Sequence, residues 1–291
     1  SFKVVQGRLL PGRFLMGVSR HSLGTAADTR LVDVCRRVGM PERLSDVFAR
    51  YLPFADYVHF GFEAGEGAST YKVYLEFWET IHRQIQQSQE PPRKALLHVG
   101  LKWDATEPKR HSITSYTWYP WITADRIADR VSRLLAAQPD AGLRRAAEDL
   151  VSVAGARVPA SDILYLEVTE EGNPRRSFDI NVYRAGLRVA ELYPLLSALC
   201  RRQSVGYAPF HAIYDGIRDQ RFGHLAGGVD RRGAPFFTVY YGAEDGYGAR
   251  GPRVGTSAAP AGWGRSAWIE QADAAARELL GRLQALEPSA G

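Results

Sequence analysis

The strongest constraint on this chain is a pattern of alternation. Four times, a period-two segment is followed by a short polar or glycine-rich turn and a second period-two segment, which is the spacing of antiparallel hairpins. The first pair runs from Tyr57 to Glu63, turns through Ala64-Gly65-Glu66-Gly67 and returns as Tyr71 to Phe77. The second joins Leu96 to Asp104 with Ser112 to Pro120, and the third joins Ile163 to Thr169 with Phe178 to Arg184 across Glu171-Gly172-Asn173-Pro174. The fourth joins His224 to Asp230 with Phe236 to Tyr241 across Arg231-Arg232-Gly233. Outside the hairpins, apolar residues recur three and four apart. They predict helices at Thr29 to Val38, Glu42 to Leu52, Trp78 to Gln87, Thr123 to Ala137, Ala190 to Arg202 and Pro209 to Asp219, with a last one from Ser266. The repeated unit is helix, strand, strand, helix.

Alternation also assigns faces. One parity is apolar, including Val58, Val73, Leu75, Val99, Leu101, Leu164, Leu166, Val168, Phe178, Ile180 and Val239, and helices must cover it. The other carries His59, Glu63, Lys72, Tyr74, Glu76, His98, Lys102, Tyr165, Glu167, Asp179, Asn181, Tyr183, His224 and Tyr240, with Thr114, Tyr116 and Trp118 placed on the same side. An open sheet with one wet face would also be polar on that side. Tyrosines and histidines are unusual there, however, and eight or more strands invite closure to protect their edges. The expectation is an α+β fold: a closed antiparallel β-barrel of about ten strands ringed by α-helices, one domain over residues 1–291. Its polar parity would line an enterable interior. Phe2 to Val5 and Arg13 to Val18 are the candidates for the remaining strands. Residues 242–265 are expected as a flexible loop, either a lid or a connector, and 266–287 as a C-terminal helix.

Composition narrows the function classes. Net charge is +5 and no basic cluster of five to eight residues occurs, so nucleic-acid binding is not expected. No apolar run approaches a membrane span, and Ser1 to Gly7 lack a leader's apolar stretch, so a cytoplasmic protein with no membrane partner is expected. Cys35 and Cys200 stand alone, which predicts buried free thiols rather than a disulfide or a structural zinc site. A single Gly-x-Gly-x-x-Gly, Gly246 to Gly251, opens no helix and so predicts no dinucleotide site. Only five lysines stand against thirty-two arginines, so Lys72 and Lys102, each in mid-strand, need their own explanation.

A shared interior would have two characters. Lys72 and Lys102, with His98, His224 and Arg184 or Arg221 nearby, would hold a multiply charged anion such as a diphosphate. Tyr74, Tyr116, Tyr165, Tyr183 and Tyr240 would present ring faces that attract a cation, roughly 0.5–2 kcal/mol each, without consuming it as a base would. That combination suits ionisation of an allylic diphosphate. A plainer account also exists, in which Glu63, Glu76 and Glu167 pair with these cations and the tyrosines reflect strand propensity.

The strand segments Tyr71-Lys72-Val73-Tyr74-Leu75-Glu76-Phe77, Leu101-Lys102-Trp103-Asp104, Tyr116-Thr117-Trp118-Tyr119-Pro120, Asp179-Ile180-Asn181-Val182-Tyr183, Gly227-Gly228-Val229-Asp230 and Thr238-Val239-Tyr240-Tyr241-Gly242 resemble those of the ABBA-fold prenyltransferases. The likeness is greatest to the short peptide-modifying branch associated with cyanobactin biosynthesis, and it covers roughly Tyr57 to Gly242. It implies the αββα barrel, dimethylallyl diphosphate as donor, magnesium (Mg2+) as cofactor with no all-protein site, and diphosphate binding by Lys72 and Lys102 assisted by tyrosines. It also implies a base near the first strands. Here His59 occupies the mid-strand position where an acid is expected, and Glu63 follows on the same face, so these two are the candidate catalytic groups. The function expected is transfer of a five-carbon group to a side chain or terminus of a ribosomal peptide, cyclic or linear, by a monomer. The alternative is a non-catalytic barrel binding a small anionic or aromatic ligand.

Overall fold

The computed structural model describes residues 1–65, 69–87, 92–136 and 141–243. The expected final helix, the Gly246 to Gly251 motif and nearly all of the 242–265 loop lie outside the described residues. Among the described residues, eleven strands form one antiparallel sheet. They are β1 (Phe2–Val5), β2 (Arg8–Leu10), β3 (Arg13–Ser19), β4 (Tyr57–Glu63), β5 (Thr70–Glu76), β6 (Ala95–Asp104), β7 (His111–Trp118), β8 (Leu164–Glu170), β9 (Asn173–Asn181), β10 (Phe222–Val229) and β11 (Pro235–Tyr241). Their order is β2-β1-β11-β10-β9-β8-β7-β6-β5-β4-β3. The class is the expected one, an α+β antiparallel barrel of the ABBA type, but the order has two ends, β2 and β3, so the barrel is nearly closed rather than closed. Both N-terminal candidates are strands, and Arg8–Leu10 adds a third.

Seven α-helices accompany the described strands: α1 (Ala27–Arg37), α2 (Glu42–Tyr51), α3 (Trp78–Gln87), α4 (Ala124–Leu134), α5 (Gly142–Gly155), α6 (Tyr193–Arg202) and α7 (Tyr207–Ile217). Of these, α5 goes beyond the expected set. Its buried positions are Gly142, Leu143, Ala146, Ala147, Leu150, Val151 and Ala154, about half of them small, and helical periodicity is read from bulky side chains.

By internal contact the chain divides into two compact units. One comprises, among the described residues, 14–65, 69–87 and 96–115; the other comprises 1–13, 92–95 and 116–243. In the first, α1 and α2 bury Leu31, Cys35, Leu44 and Phe48 against Val58, Val73, Leu75, Val99, Leu101 and Trp103, the parity assigned to the helix side. The Trp103 indole N–H donates to the Val38 carbonyl at 3.2 Å, satisfying an acceptor at the end of α1. Each such aliphatic or aromatic side chain contributes about 1.5–3 kcal/mol on burial.

In the second unit, α4 to α7 cover Phe178, Ile180, Val182, Leu225, Phe237 and Val239. Both cysteines are buried free thiols, one in each unit, and burial pushes both thiol pKa values up.

One strand departs from the expected parity. In the β8–β9 register Tyr165 lies opposite Ile180, Leu166 opposite Asp179 and Glu167 opposite Phe178. Tyr165 and Glu167 therefore share the helix-facing side, while Leu164, Leu166 and Val168 take the face of Asp179 and Asn181. The cause is an ion pair. Arg130 on α4 donates to Glu167 at 2.7 Å, and the Tyr119 and Tyr165 hydroxyls donate to the same carboxylate at 3.1 Å. The Arg130 guanidinium also sits 3.8 Å over the Tyr119 ring. A charge finds its partner on the helix side, so alternation read as apolar-to-helices inverts here. Tyr165 is fully buried in that core, and burial pushes its hydroxyl pKa up. It is not a cation-shielding residue of the polar face.

Tyr165→Phe deletes one hydrogen bond to a carboxylate. It is expected to lower unfolding free energy by about 1–3 kcal/mol in a denaturant titration. A variant as stable as the parent would contradict this placement.

Candidate active site

The polar face of the first unit is built in rungs by the pairing of β4, β5 and β6. Tyr57, Glu76 and His98 share one rung; His59, Tyr74 and Gly100 the next; Gly61, Lys72 and Lys102 the third. Glu63, Thr70 and Asp104 complete the series. Lys72 and Lys102 are thus direct cross-strand neighbours on one face. Like charges in that relation destabilise a sheet unless something else binds them. Lys72 is buried, and its ammonium donates to the Glu63 carboxylate. The Lys102 ammonium stands 5.9 Å from the Tyr74 ring centroid.

The first two rungs hold a second cluster. The Nε2 atoms of His59 and His98 meet the same oxygen of Glu76, at 2.8 and 3.1 Å, and all three side chains are buried. Burial alone would push the Glu76 carboxyl up, but the two imidazole hydrogen bonds together hold its pKa well below the usual carboxylate range. The Glu76–His98 rung lies four residues from the lysine rung, about 13 Å along the strands, which is longer than a diphosphate. His98 therefore belongs with Glu76 and not with Lys72 and Lys102.

Glycines make room for the rings. A Cβ at Gly100 would lie 2.9 Å from two Tyr74 ring carbons and 2.5 Å from the Thr114 hydroxyl, and one at Gly17 would lie 2.7 Å from His59 Nδ1. Thr114 donates to the Gly100 carbonyl at 3.1 Å, on the polar side as assigned, and Tyr116 follows it on the same parity of β7.

On the second unit's polar face, His224 Nδ1 lies 3.0 Å from Asp179 Oδ1 and its Nε2 lies 2.9 Å from the Asn181 amide. His224 is directly opposite Asn181 on one side and Tyr240 on the other. Its ring is 5.2 Å from both the Tyr183 and the Tyr240 rings. Tyr183 lies just beyond β9, in a short 3-10 turn rather than in the strand; its N–H donates to Asn181, and Arg221 donates to its carbonyl. A Cβ at Gly223 would collide with the Tyr183 ring, and burial pushes the Tyr183 hydroxyl pKa up. Arg184 turns instead to Asp162 at 2.6 Å.

Of the expected residues, the structure thus gathers Lys72, Lys102, Tyr74 and Glu63 in adjacent rungs, His59 with His98 through Glu76, and His224 with Tyr183 and Tyr240. It adds two basic residues that strand pairing alone could reveal. Lys3 on β1 lies opposite Thr238, with its ammonium 4.8 Å from the Phe236 ring, and Arg13 donates to the Thr238 hydroxyl at 3.3 Å.

No family model and no curated protein matches the chain. Solved structures do. A crystal structure of a PriB binary complex with product diphosphate aligns with a TM-score of 0.56 and 15% identity, covering 83% of this chain and 78% of that one. The crystal structure of 6-dimethylallyltryptophan synthase from Micromonospora olivasterospora in complex with DMASPP and Trp gives 0.53 and 15%, over 83% and 80%. A further 6-dimethylallyl tryptophan synthase gives 0.51 and 16%, over 82% and 79%. The structural neighbours are thus ABBA prenyltransferases, and at this identity what the chain shares with them is the fold.

Gly223→Ala is expected to force the Tyr183 ring from its seat. Thermal unfolding should report a loss of about 1–3 kcal/mol, the usual cost of overfilling a packed site. An unshifted transition would mean that the ring has room to move.

Proposed function

We propose that this chain is a prenyltransferase, moving a dimethylallyl group from its diphosphate to a nucleophilic acceptor. One juxtaposition supports the reading above all: Lys72 directly across from Lys102 on a polar face, with Tyr74 one pleat away. Directly opposed strand positions bring their Cβ atoms to about 5 Å, and two like charges in that relation are destabilising. The Glu63 carboxylate, bound to Lys72, offsets part of this. A diphosphate carries enough charge and enough oxygens to engage both lysines. The likeness in fold to a protein solved with product diphosphate and to one solved with DMASPP points the same way.

In this mechanism the bond between the allylic carbon and the diphosphate oxygen breaks and its electron pair leaves with the diphosphate. Lys72 and Lys102 stabilise the charge that develops there. The ring faces of Tyr74, Tyr116, Tyr183 and Tyr240 are the proposed shelter for the allyl cation, and His224, oriented by Asp179, is a proposed further anion contact. His59 and Glu63 are the proposed acceptors of the proton that the nucleophile loses. Among the described residues, the one group of three or more histidine, cysteine, aspartate or glutamate ligand atoms close enough to share an ion is His59, Glu76 and His98, whose two nitrogens suit magnesium poorly. A magnesium ion would accordingly be held chiefly by the diphosphate oxygens and would supply charge neutralisation there.

The proposed acceptor is a side chain or terminus of a ribosomal peptide. An indole acceptor is the second reading, favoured by the tryptophan in the complex of one structural neighbour. Incubation with dimethylallyl diphosphate, magnesium, linear and cyclic peptides and free tryptophan should give a mass gain of one five-carbon unit on an acceptor. Lys102→Ala and Lys72→Ala should each lower turnover by about 10²–10³-fold, the scale for losing one preorganised charge donor, with circular dichroism unchanged. Tight donor binding without transfer to any acceptor would instead support a non-catalytic binding barrel.

A further inference from the structure

We infer that His59, Glu76 and His98 form a binding site for one transition-metal ion of the zinc class, separate from the magnesium carried by a diphosphate. The three residues come from adjacent strands β4, β5 and β6 and point to one side of the sheet. Their nearest ligand atoms lie within 4.8 Å of one another, and all three side chains are buried. The two imidazole nitrogens already converge on one carboxylate oxygen at 2.8 and 3.1 Å. Tetrahedral coordination at bond lengths near 2.0–2.1 Å separates ligand atoms by about 3.3 Å, so the two nitrogen–oxygen distances need open by only a few tenths of an ångström while side-chain rotation brings the two imidazoles, within 4.8 Å, onto the ion. Two imidazoles and one carboxylate suit zinc, cobalt, iron or nickel far better than magnesium or calcium. Three protein ligands also leave a coordination position for water or a substrate atom.

Charge gives a second reason. Glu76 is buried, and its side-chain hydrogen bonds run to imidazoles rather than to an arginine or lysine. A buried carboxylate requires a positive counterpart. Either a divalent ion supplies it or a proton on one imidazole does, and these alternatives are separable by titration with metal. The space beside His59 is prepared as well, since β3 places Gly17 where any side chain would displace the imidazole. When the ion is bound His59 is a ligand, which leaves Glu63 as the group for the acceptor's proton.

The test uses the full chain stripped with a chelator, then titrated with Zn2+ and separately with Co2+, with no donor or acceptor present. Expected are one ion per chain by elemental analysis, visible d–d bands characteristic of four-coordinate Co2+, and a higher melting temperature with metal than without. His98→Ala and Glu76→Gln should each weaken affinity by at least about a hundredfold. His98 lies at the margin of the cluster, so its variant is the one expected to keep the fold; should Glu76→Gln fail to fold, the parent's own metal-dependent melting shift and spectrum decide the matter. Absence of stoichiometric binding, or binding equally strong in His98→Ala, overturns the site and assigns the counter-charge to a proton. Because no prenyl transfer is read, either result leaves the proposed activity to its own test.

Discussion

The polar face of β4, β5 and β6 depends on one constraint, the register that sets Lys72 against Lys102. Strand pairing brings opposed Cβ atoms to about 5 Å whatever their chemistry, and in a sheet two like charges at that spacing are a cost. Glu63 relieves part of it, and the Lys102 ammonium lies 5.9 Å from the Tyr74 ring. The rung thus sets two ammonium side chains side by side on a face that also carries hydroxyls, imidazoles, rings and the Glu63 and Glu76 carboxylates. An anion bound there would be favoured by the same repulsion that disfavours the empty rung. The register that costs folding energy is therefore the one that would supply binding energy.

Much of this was legible from alternation alone. The helix-facing and polar parities of β4, β5, β6, β9, β10 and β11 follow the sequence because their partners on each side are uniform: helices against apolar residues, polar groups opposite. Strand β8 breaks the inference at a specific residue. Glu167 reads as polar and so as inward, yet Arg130 reaches it from α4, and a guanidinium on a distant helix cannot be anticipated from strand periodicity. Once Glu167 is turned, strict period two carries Tyr165 with it. The consequence is a more apolar polar face in that unit, where Leu166 lies beside Asp179.

Other parts of the site were invisible for a different reason. Glu76 reads as one more carboxylate able to pair with a cation, and only the cross-strand register shows that its partners are His59 and His98 rather than a lysine. Lys3 belongs to a segment too short to display alternation, and its place opposite Thr238 depends on pairing between β1 and β11, far apart in the chain. Helix α5 was hidden because alanine carries little periodic contrast.

The glycines link these levels. Glycine within a strand leaves one face of the sheet without a side chain. In the structure Gly100 is a seat: its missing side chain lets the Tyr74 ring lie against the sheet, as Gly17 does for His59 and Gly223 for Tyr183. A ring seated on backbone loses the rotamers that would carry it away from the face, and its orientation is then set by the strand rather than by neighbouring side chains. Glycine in a strand interior costs stability through backbone entropy and lost packing. Three such positions, each beneath an aromatic ring or imidazole of a polar cluster, indicate that fixed ring orientation on this sheet outweighs that loss. Preorganised rings of this kind favour a developing cation without reorganising at the moment it forms, which is the property an ionising prenyl diphosphate would require.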